Sequence, residues 1–444
     1  MIIVQPVAPA PIQTGAVRSA VVIRHRLPRG RTGPLDALLL DGETRPALLA
    51  LRELGHAGLR VGAAATTHQA AAFASRWCLA GAELPDFAAH PHGFEDGLLA
   101  LLDRHPARVV IPTSARSVAQ VRPQRPLLER QSALALAADD ALAVALDPEQ
   151  TAERAARLGI ATVRRVTLHA WDEVTSAVRE VGLPATVRAL PSPTGAAAPR
   201  ADRYDIVAQT EDEVRQAVAG LAAVGATAVI EQWLPGPRET ISLLHARGRV
   251  WARFAHVTHR ALPGHAGAAI LRESIALPRD TARDTQRLVR ALDLEGFAAA
   301  DFQRDVAGQP VLIQLHPYLG DDVELAVRAG INFPRLVYAW AAGETLWSVP
   351  EYRVGLRLRW LGGDLRALRL ALARPAAPDA PTPGHALATL LLGALRPAGY
   401  DSLDWRDPRP TLAAAAHLIR RALRGHATAP GADLAVAPDS APLS

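Results

Sequence analysis

The chain has 444 residues, a length that predicts two or three domains rather than one. Its net charge of +5 is small and its basic residues are scattered, which argues against a nucleic-acid partner. The single cysteine, Cys78, excludes an intrachain disulfide and a cysteine-based metal site.

Neither a signal-peptide core nor a long uncharged apolar run is visible in the sequence. We therefore expect a cytoplasmic protein with no membrane partner. Arginine supplies all 49 basic residues, because the chain contains no lysine. Arginine is thus the residue to expect wherever a related protein carries lysine.

The first part of the chain predicts a flexible leader over residues 1–33 and an α/β domain over 34–145. Short apolar strands alternate with helices of about ten residues, a pattern typical of βαβ units and a parallel sheet. Strands are predicted at 38–40, 59–64 and 109–112, and helices at 45–54, 69–77 and 94–102. Ligands of such a sheet gather at the carboxyl ends of its strands.

The middle of the chain, residues 146–345, predicts a mixed α+β domain rich in hairpins. Residues 241–246 and 250–257 flank the turn Arg247-Gly248, and 297–303 and 311–315 flank a turn around Gly308. A helix with one apolar face is predicted between these hairpins, over 281–292. Residues 346–426 predict a helical extension and 427–444 a disordered tail.

Four segments of the middle region resemble those of ATP-grasp proteins in order and spacing. They are residues 229–239 (VIEQWLPGPRE), 296–305 (GFAAADFQRD), 311–317 (VLIQLHP) and 326–334 (AVRAGINFP). They resemble a hinge strand, two metal-binding strands and the helix that follows. The likeness covers about residues 34–345 and is nearest to carboxylate–amine ligases related to carbamoyl phosphate synthetase and biotin carboxylase.

This resemblance implies a fold class and two cofactors. The expected fold is an α/β amino-terminal parallel-sheet domain, then an α+β ATP-grasp domain of two antiparallel sheets, with a helical carboxyl-terminal extension. The implied cofactors are ATP and magnesium.

The resemblance assigns nucleotide contacts to five residues. Backbone groups of Glu231, Gln232 and Leu234 would meet the adenine edge, and Glu239 would reach the ribose or order the hinge. Arg188 would contact phosphate, because guanidinium forks onto phosphate oxygens. The alternatives are an ordinary buried strand ending in a proline turn, and a surface arginine at a strand end.

The implied metal ligands are Asp301, Gln314 and His316. The family places an acidic residue on one strand and a Glu and an Asn on the next, so one carboxylate is missing here. Magnesium prefers oxygen ligands, whereas imidazole suits zinc or nickel. The first phosphate-binding lysine is also replaced, by Pro148. The alternative interpretation of this strand is a solvated sheet face.

Two functions follow from these residues. The first is an ATP-dependent ligase that joins small-molecule carboxylate and amine substrates through an acyl phosphate. The second is a weakened or inactive ATP-grasp pseudoenzyme that acts as a binding or scaffold partner. A homodimer is a further expectation.

Overall fold

The computed structural model describes most of the chain between residues 33 and 413. The described residues are 22–23, 33–86, 90–168, 171–190, 206–262, 268–373, 384, 387–388, 390 and 398–413. They form three β-sheets with helices packed on them. None of the described helices is both long and apolar enough to cross a membrane.

The amino-terminal sheet has six strands in the order β1-β4-β3-β2-β5-β6, parallel except for β1. Its strands are β1 (Val22–Ile23), β2 (Leu35–Leu39), β3 (Val61–Ala65), β4 (Cys78–Glu83), β5 (Ala107–Ile111) and β6 (Ala133–Leu134). The helices of this region are α1 (Arg45–His56), α2 (Ala71–Ala74), α3 (Pro91–Arg104), α4 (Ala115–Val121), α5 (Arg125–Leu128) and α6 (Asp139–Leu146).

The small sheet has four antiparallel strands in the order β7-β10-β8-β9. They are β7 (Arg165–Thr167), β8 (Ala185–Ala189), β9 (Ile206–Ala208) and β10 (Ala228–Gln232). Helix α7 (Pro148–Arg157) precedes this sheet, and helices α8 (Val174–Val181) and α9 (Glu211–Ala223) cover one face of it. Helix α9 begins where the hydroxyl of Thr210 accepts from the Glu213 backbone N–H, and acidic residues in its first turn favour the helix dipole.

The large sheet has seven strands in the order β15-β14-β11-β12-β13-β16-β17. They are β11 (Arg238–Ala246), β12 (Arg249–Ala261), β13 (Ala269–Ser274), β14 (Gly296–Arg304), β15 (Pro310–His316), β16 (Arg357–Arg359) and β17 (Gly399–Tyr400). The accompanying helices are α10 (Arg279–Ala291), α11 (Val323–Ala329), α12 (Phe333–Ala341) and α13 (Leu361–Ala373).

Successive residues of β11 point to opposite faces of the large sheet. Ile241 and Leu243 join Leu288 of α10 in one apolar core, while Leu244 joins Phe333 of α12 in another. Both cores also contain residues of the amino-terminal sheet, so these two sheets share their hydrophobic interior.

The parallel sheet and the two antiparallel sheets confirm the core of the expected architecture. The hairpin turn at Arg247-Gly248 is also present, with φ of 53° and 68° at its two residues. Positive φ at both positions gives the turn the twist that a two-residue hairpin needs.

Three predictions need correction. The helix expected over 69–77 is only the short α2. Residues 78–83 form strand β4, which was not predicted because its Gly- and Ala-rich sequence has little strand propensity. Residues 22–23 of the expected leader form strand β1, and the other residues of 1–32 lie outside the described part.

The expected helical extension over 346–426 is only partly helical. Helix α13 forms, but β16 and β17 add two strands to the large sheet. Residues 414–426 and the tail expected over 427–444 lie outside the described residues.

Candidate functional site

The candidate hinge strand β10 lies in the middle of the small sheet, between β7 and β8. Its residues Ala228 and Ile230 pack against α8 and α9, so Val229 and Glu231 face the opposite side. The chain then turns at Pro235-Gly236 into β11. A Cβ on Gly236 would lie 2.8 Å from the carbonyl oxygen of Arg304, so this close approach to β14 requires glycine.

Glu231 is the centre of a buried ion network on the face of the small sheet that points away from α8 and α9. Its carboxylate accepts two hydrogen bonds from the Arg188 guanidinium, at 2.9 and 2.8 Å, and a third from Nε of Arg165. Two guanidinium groups and one carboxylate leave one net positive charge. Arg188 therefore reaches an added phosphate only together with, or in competition with, Glu231.

The other predicted hinge residues have distinct environments. The Gln232 N–H donates to the Arg164 carbonyl at 2.9 Å, so this peptide group is already part of the sheet. Strand β10 ends at Gln232, and the peptide groups that follow it lie outside the strand. Leu234 is buried against Val163, Val311 and Ile313 and forms an apolar wall there.

Glu239 lies on the face of the large sheet that packs toward α10. It shares this face with Ile241, and it accepts hydrogen bonds of 2.8 and 3.1 Å from Arg304. Arg304 also binds Asp280 at the start of α10, at 2.8 Å. Through Arg304, Glu239 thus joins β11, β14 and the start of α10.

The three predicted metal ligands share the opposite face of the large sheet, which we call the polar face and define by Thr240, His256, Asp301 and His316. Asp301 lies opposite Gln314 across β14 and β15, and His316 lies opposite Ala299. Gln314 and His316 share this face as their alternate positions on one strand predicted, and the pairing of β14 with β15 adds Asp301 to it.

Asp301 is held by its own neighbours. Its carboxylate accepts from the Thr240 hydroxyl at 2.6 Å, and Nε2 of His316 lies 3.3 Å away. Burial raises the pKa of Asp301, but the hydrogen bond and positive charge of His316 and the charge of Arg238 outweigh it, so the pKa is well below its usual value. Asp301 is therefore ionised at neutral pH.

These residues do not fit magnesium. Asp301 is the single carboxylate on the two strands, Gln314 is neutral, and both ring nitrogens of His316 are engaged, one with Asp301 and one with the Tyr318 hydroxyl at 3.2 Å. Magnesium takes oxygen ligands in an octahedral arrangement. Within the described residues, no three His, Cys, Asp or Glu side chains form a group able to hold a metal ion.

Asp321 and Asp322 directly precede α11. Asp322 sits at the N-cap but makes no side-chain cap hydrogen bond, and its carboxylate accepts from the Ser242 hydroxyl at 2.7 Å. Burial, reinforced by the negative charge of Asp301, raises the pKa of Asp322 despite that hydrogen bond. Asp321 forms an ion pair with Arg45.

An ion cluster beside the polar face was missed at the sequence level. Arg45 at the start of α1 and Arg272 on β13 both bind Asp401, at 2.7 and 2.6 Å. Asp401 follows β17, about 130 residues beyond β13 in the chain. No local sequence pattern links these positions, and only the fold brings them together.

A cleft of about 340 Å³ lies between α7, the entry to the small sheet and β15. Pro148, Arg165, Ile313 and Gln314 are among its lining residues. Ile313 also belongs to the apolar wall of Leu234, so the cleft adjoins the candidate hinge.

Comparisons with known proteins support the fold described above. No family model matches the chain. The D-alanine–D-alanine ligase of Pseudomonas entomophila is 28% identical over 213 residues, which are 45% of this chain and 64% of that relative. The chain therefore spans less than two thirds of the length of this ligase.

Two solved structures share the fold. Biotin carboxylase of Campylobacter jejuni superposes with a TM-score of 0.57 at 15% identity, over 73% of this chain and 74% of that chain. The L-amino acid ligase of Bacillus licheniformis gives 0.54 at 16% identity, over 70% and 75%. The chain has the ATP-grasp fold, and its resemblance is to ATP-grasp carboxylate–amine ligases.

Proposed function

We propose that this protein binds ATP and joins a carboxylate to an amine through an acyl phosphate. The observation that carries the proposal is the joint position of ionised Asp301 on the large sheet and the positively charged Arg165–Arg188–Glu231 network on the small sheet. On this proposal the nucleotide lies between the two antiparallel sheets, with Asp301 on one side and the arginine network on the other.

The adenine would lie against the wall formed by Leu234 and Ile313, within reach of peptide groups that follow Gln232. The Arg165–Arg188–Glu231 network would hold the phosphates with its one net positive charge. Backbone peptide groups can hydrogen-bond adenine whatever side chains they carry. The adenine contact would therefore remain where the family's usual side chains are replaced.

The reaction has two steps. An oxygen of the substrate carboxylate forms a bond to the γ-phosphorus of ATP as the bond to the β-phosphate oxygen breaks, releasing ADP. The amine nitrogen then bonds to the acyl carbon, phosphate leaves with its oxygen, and the nitrogen loses a proton. The chain contributes positioning and fixed charge, which can account for most of such a rate enhancement.

A weakened pseudoenzyme is the second candidate, and the poor fit to magnesium favours it. His316 lies where the resemblance places a metal ligand, and its Nε2 already contacts the carboxylate of Asp301 at 3.3 Å. Pro148 carries no charge and serves only as the first residue of α7. One cation of the family's phosphate site and one carboxylate of its metal site are therefore missing.

Calorimetric titration with ATP, with and without magnesium, tests nucleotide binding first. We expect ATP to bind about tenfold to a hundredfold more weakly than to a relative that keeps a lysine at the position of Pro148, because one charge-assisted contact is lost. We also expect this affinity to change little when magnesium is added. A phosphate-release screen over amino acids then separates an active ligase from a pseudoenzyme. Tight binding that depends strongly on magnesium would contradict the site described above.

A double change, Gln314→Glu with His316→Asn, tests the metal strands directly. The added carboxylate acts through the metal, so magnesium–ATP should bind more tightly while ATP alone should bind less tightly. Arg287→Gln on the exposed side of α10 is the control and should alter neither titration. An equal gain with and without magnesium would point to general stabilisation and remove these strands from the site.

A further inference from the structure

Residues 398–404, which we call the strap, lie between two anchored points. Strand β17 adds the start of the strap to the large sheet, and the Asp401 N–H continues this pairing by donating to the Arg359 carbonyl at 2.8 Å. Beyond the strap, Asp407 accepts from Arg52 of α1 at 3.0 Å. The strap therefore joins the large sheet to the amino-terminal region, and its contacts decide how firmly the two are tied there.

Two buried acids meet at the strap. Both carboxylate oxygens of Glu324, on α11, accept from the Ser402 N–H, at 3.1 and 2.9 Å. The Ser402 hydroxyl in turn donates to Asp401 at 3.3 Å. The side chains of Glu324 and Asp401 are only 8% and 2% exposed. The two carboxyl groups thus share one serine of the strap in a place that water hardly reaches.

Ser402 has a backbone conformation that its neighbours must hold. Its φ is 63°, in the left-handed region that residues with a side chain rarely adopt. Arg328 of α11 donates to Glu324 at 2.7 Å and to the Tyr400 and Leu403 carbonyls at 2.8 and 3.3 Å. The strap is therefore built around Glu324 and Arg328, and it can relax when these contacts weaken.

Only one of the two acids is ionised at neutral pH. Burial opposes the ionisation of Asp401, but the charge of Arg45, the hydrogen bond to Glu324 and the charge of Arg272 hold its pKa below the usual value. Burial, reinforced by the charge of Asp401, raises the pKa of Glu324 to about 8, and Arg328 offsets this only in part. Glu324 thus keeps its proton and shares it with Asp401 through a hydrogen bond.

Other charged groups surround this acid pair from every element packed on it. Histidine is among them, and its charge ordinarily changes between pH 5 and 8. The groups are Arg45, Glu53 and His56 on α1, Arg272 on β13, Asp321 and Asp322 before α11, Arg328 within α11, and Asp404 of the strap.

We propose that one proton shared by Glu324 and Asp401 holds the strap closed, so that the strap opens as the solution becomes alkaline. In the open form Glu324 lies in water and loses its proton near pH 4.5, the ordinary value for this side chain. The closed form therefore binds one more proton between about pH 4.5 and pH 8, and above pH 8 neither form binds it. Each rise in pH within this window favours the open form.

Opening changes the charge beside the polar face. It removes Asp401 from Arg272, whose positive charge already lowers the pKa of His256. The strap thus couples the protonation of α11 to the electrostatics of the large sheet. This regulation does not depend on the proposed function, because it needs neither a nucleotide nor a substrate.

Hydrogen exchange of the full chain from pH 5 to pH 9, corrected for the pH dependence of exchange itself, measures opening. The Asp401 and Ser402 amides are both hydrogen-bonded in the closed form and report it directly. We expect their opening constant to rise about tenfold per pH unit and to level off above pH 8. A constant value would overturn the proposal, as would an equal change in the amides of β11, which would indicate global unfolding.

Glu324→Gln is the matched variant, because the amide has the shape of the protonated acid but cannot ionise. It can still accept from the Ser402 N–H and donate to Asp401, so strap opening should become nearly independent of pH. Glu344→Gln is the control and should keep the wild-type dependence, since its ion pair with Arg108 is exposed. If the dependence persists in Glu324→Gln but disappears in His56→Gln, the proton lies on His56 and this inference fails.

Discussion

Glu231 sits at the meeting point of two arginines and is 1% exposed. A carboxylate in this position costs desolvation energy that its partners offset, so the network is stable only as a unit. The same arrangement limits how freely Arg188 can turn to a phosphate. The charge of the small sheet therefore depends on one acidic residue that holds both arginines in place.

Replacing Glu231 by Gln tests this dependence. Two guanidinium groups would lose their shared counter-charge, and we expect the free energy of unfolding to fall by about 3–5 kcal/mol. Urea denaturation measures the change. Glu153→Gln is the matched control, because its ion pair with Arg157 is 70% and 67% exposed and its loss should cost less than about 1 kcal/mol. Similar losses in both variants would show that the network is not a buried unit.

His256 makes stability depend on pH. Burial, followed by the charge of Arg272, lowers its pKa to about 3, with Asp301 opposing and Arg238 adding to the effect. The unfolded chain has a histidine pKa near 6.5 and therefore binds a proton that the folded chain refuses between these values. Stability consequently rises with pH across this window and falls as the solution is acidified.

His256→Gln removes this dependence. Between pH 7 and pH 5, the wild type should lose about 2 kcal/mol more stability than the variant. Chemical denaturation at the two pH values measures the difference. The control is His259→Gln on the same strand, where the side chain is 42% exposed and pairs with Glu273. An equal acid loss in the wild type and the His256 variant would contradict a neutral buried imidazole.

At the level of elements, the segment 398–413 connects the amino-terminal sheet with the large sheet. Strand β17 extends the large sheet, and Asp407 reaches the other side, where it binds Arg52 of α1 at 3.0 Å and the Ser75 hydroxyl at 2.6 Å. It also accepts from the Arg76 N–H at 2.9 Å. These contacts fix the segment around Ser75 and Arg76.

Asp407→Ala should therefore destabilise the whole described fold. Arg52 is 4% exposed, and removal of its partner leaves a buried charge, which costs about 3–5 kcal/mol. Thermal and urea unfolding measure the loss. Asp404→Ala in the same segment is the control, because that side chain is 23% exposed and should matter far less. A null effect at Asp407 would mean that the segment is not docked on α1.

For the whole molecule, the division of the hydrophobic cores suggests how the protein opens. The small sheet with α8 and α9 has its own core, formed only by residues between 166 and 230. The amino-terminal and large sheets share two larger cores instead. In the described part, the small cluster around Leu234 is the apolar contact that links the hinge to β15.

Hydrogen exchange should show this division. We expect amides of β8, β10 and α9 to exchange through a local opening of lower free energy than amides of β11 and β14. Bound ATP should slow exchange in the small sheet more than in the large sheet, because it would bridge the two. Uniform protection across all three sheets, with or without ATP, would indicate one cooperative unit and no separate opening.

The sequence alone predicted the alternation of strands and helices in the amino-terminal region and the common face of Gln314 and His316. Period-two alternation and turn residues are local properties, so they can be read without the fold. The same is true of the Arg247-Gly248 hairpin. Strand β4 was not predicted, because a Gly- and Ala-rich strand has no local sequence signature.

Only the tertiary structure decided which charges meet. Glu231 forms an ion pair with Arg188, Glu239 with Arg304, and Asp401 with Arg272, which lies in a distant part of the chain. An ion pair depends on distance in space, and burial then strengthens it by excluding water. Among the described residues, buried atoms of His256, Thr258 and Arg272 have no hydrogen-bond partner, and the sequence could not show this because it depends on every neighbour that the fold brings close.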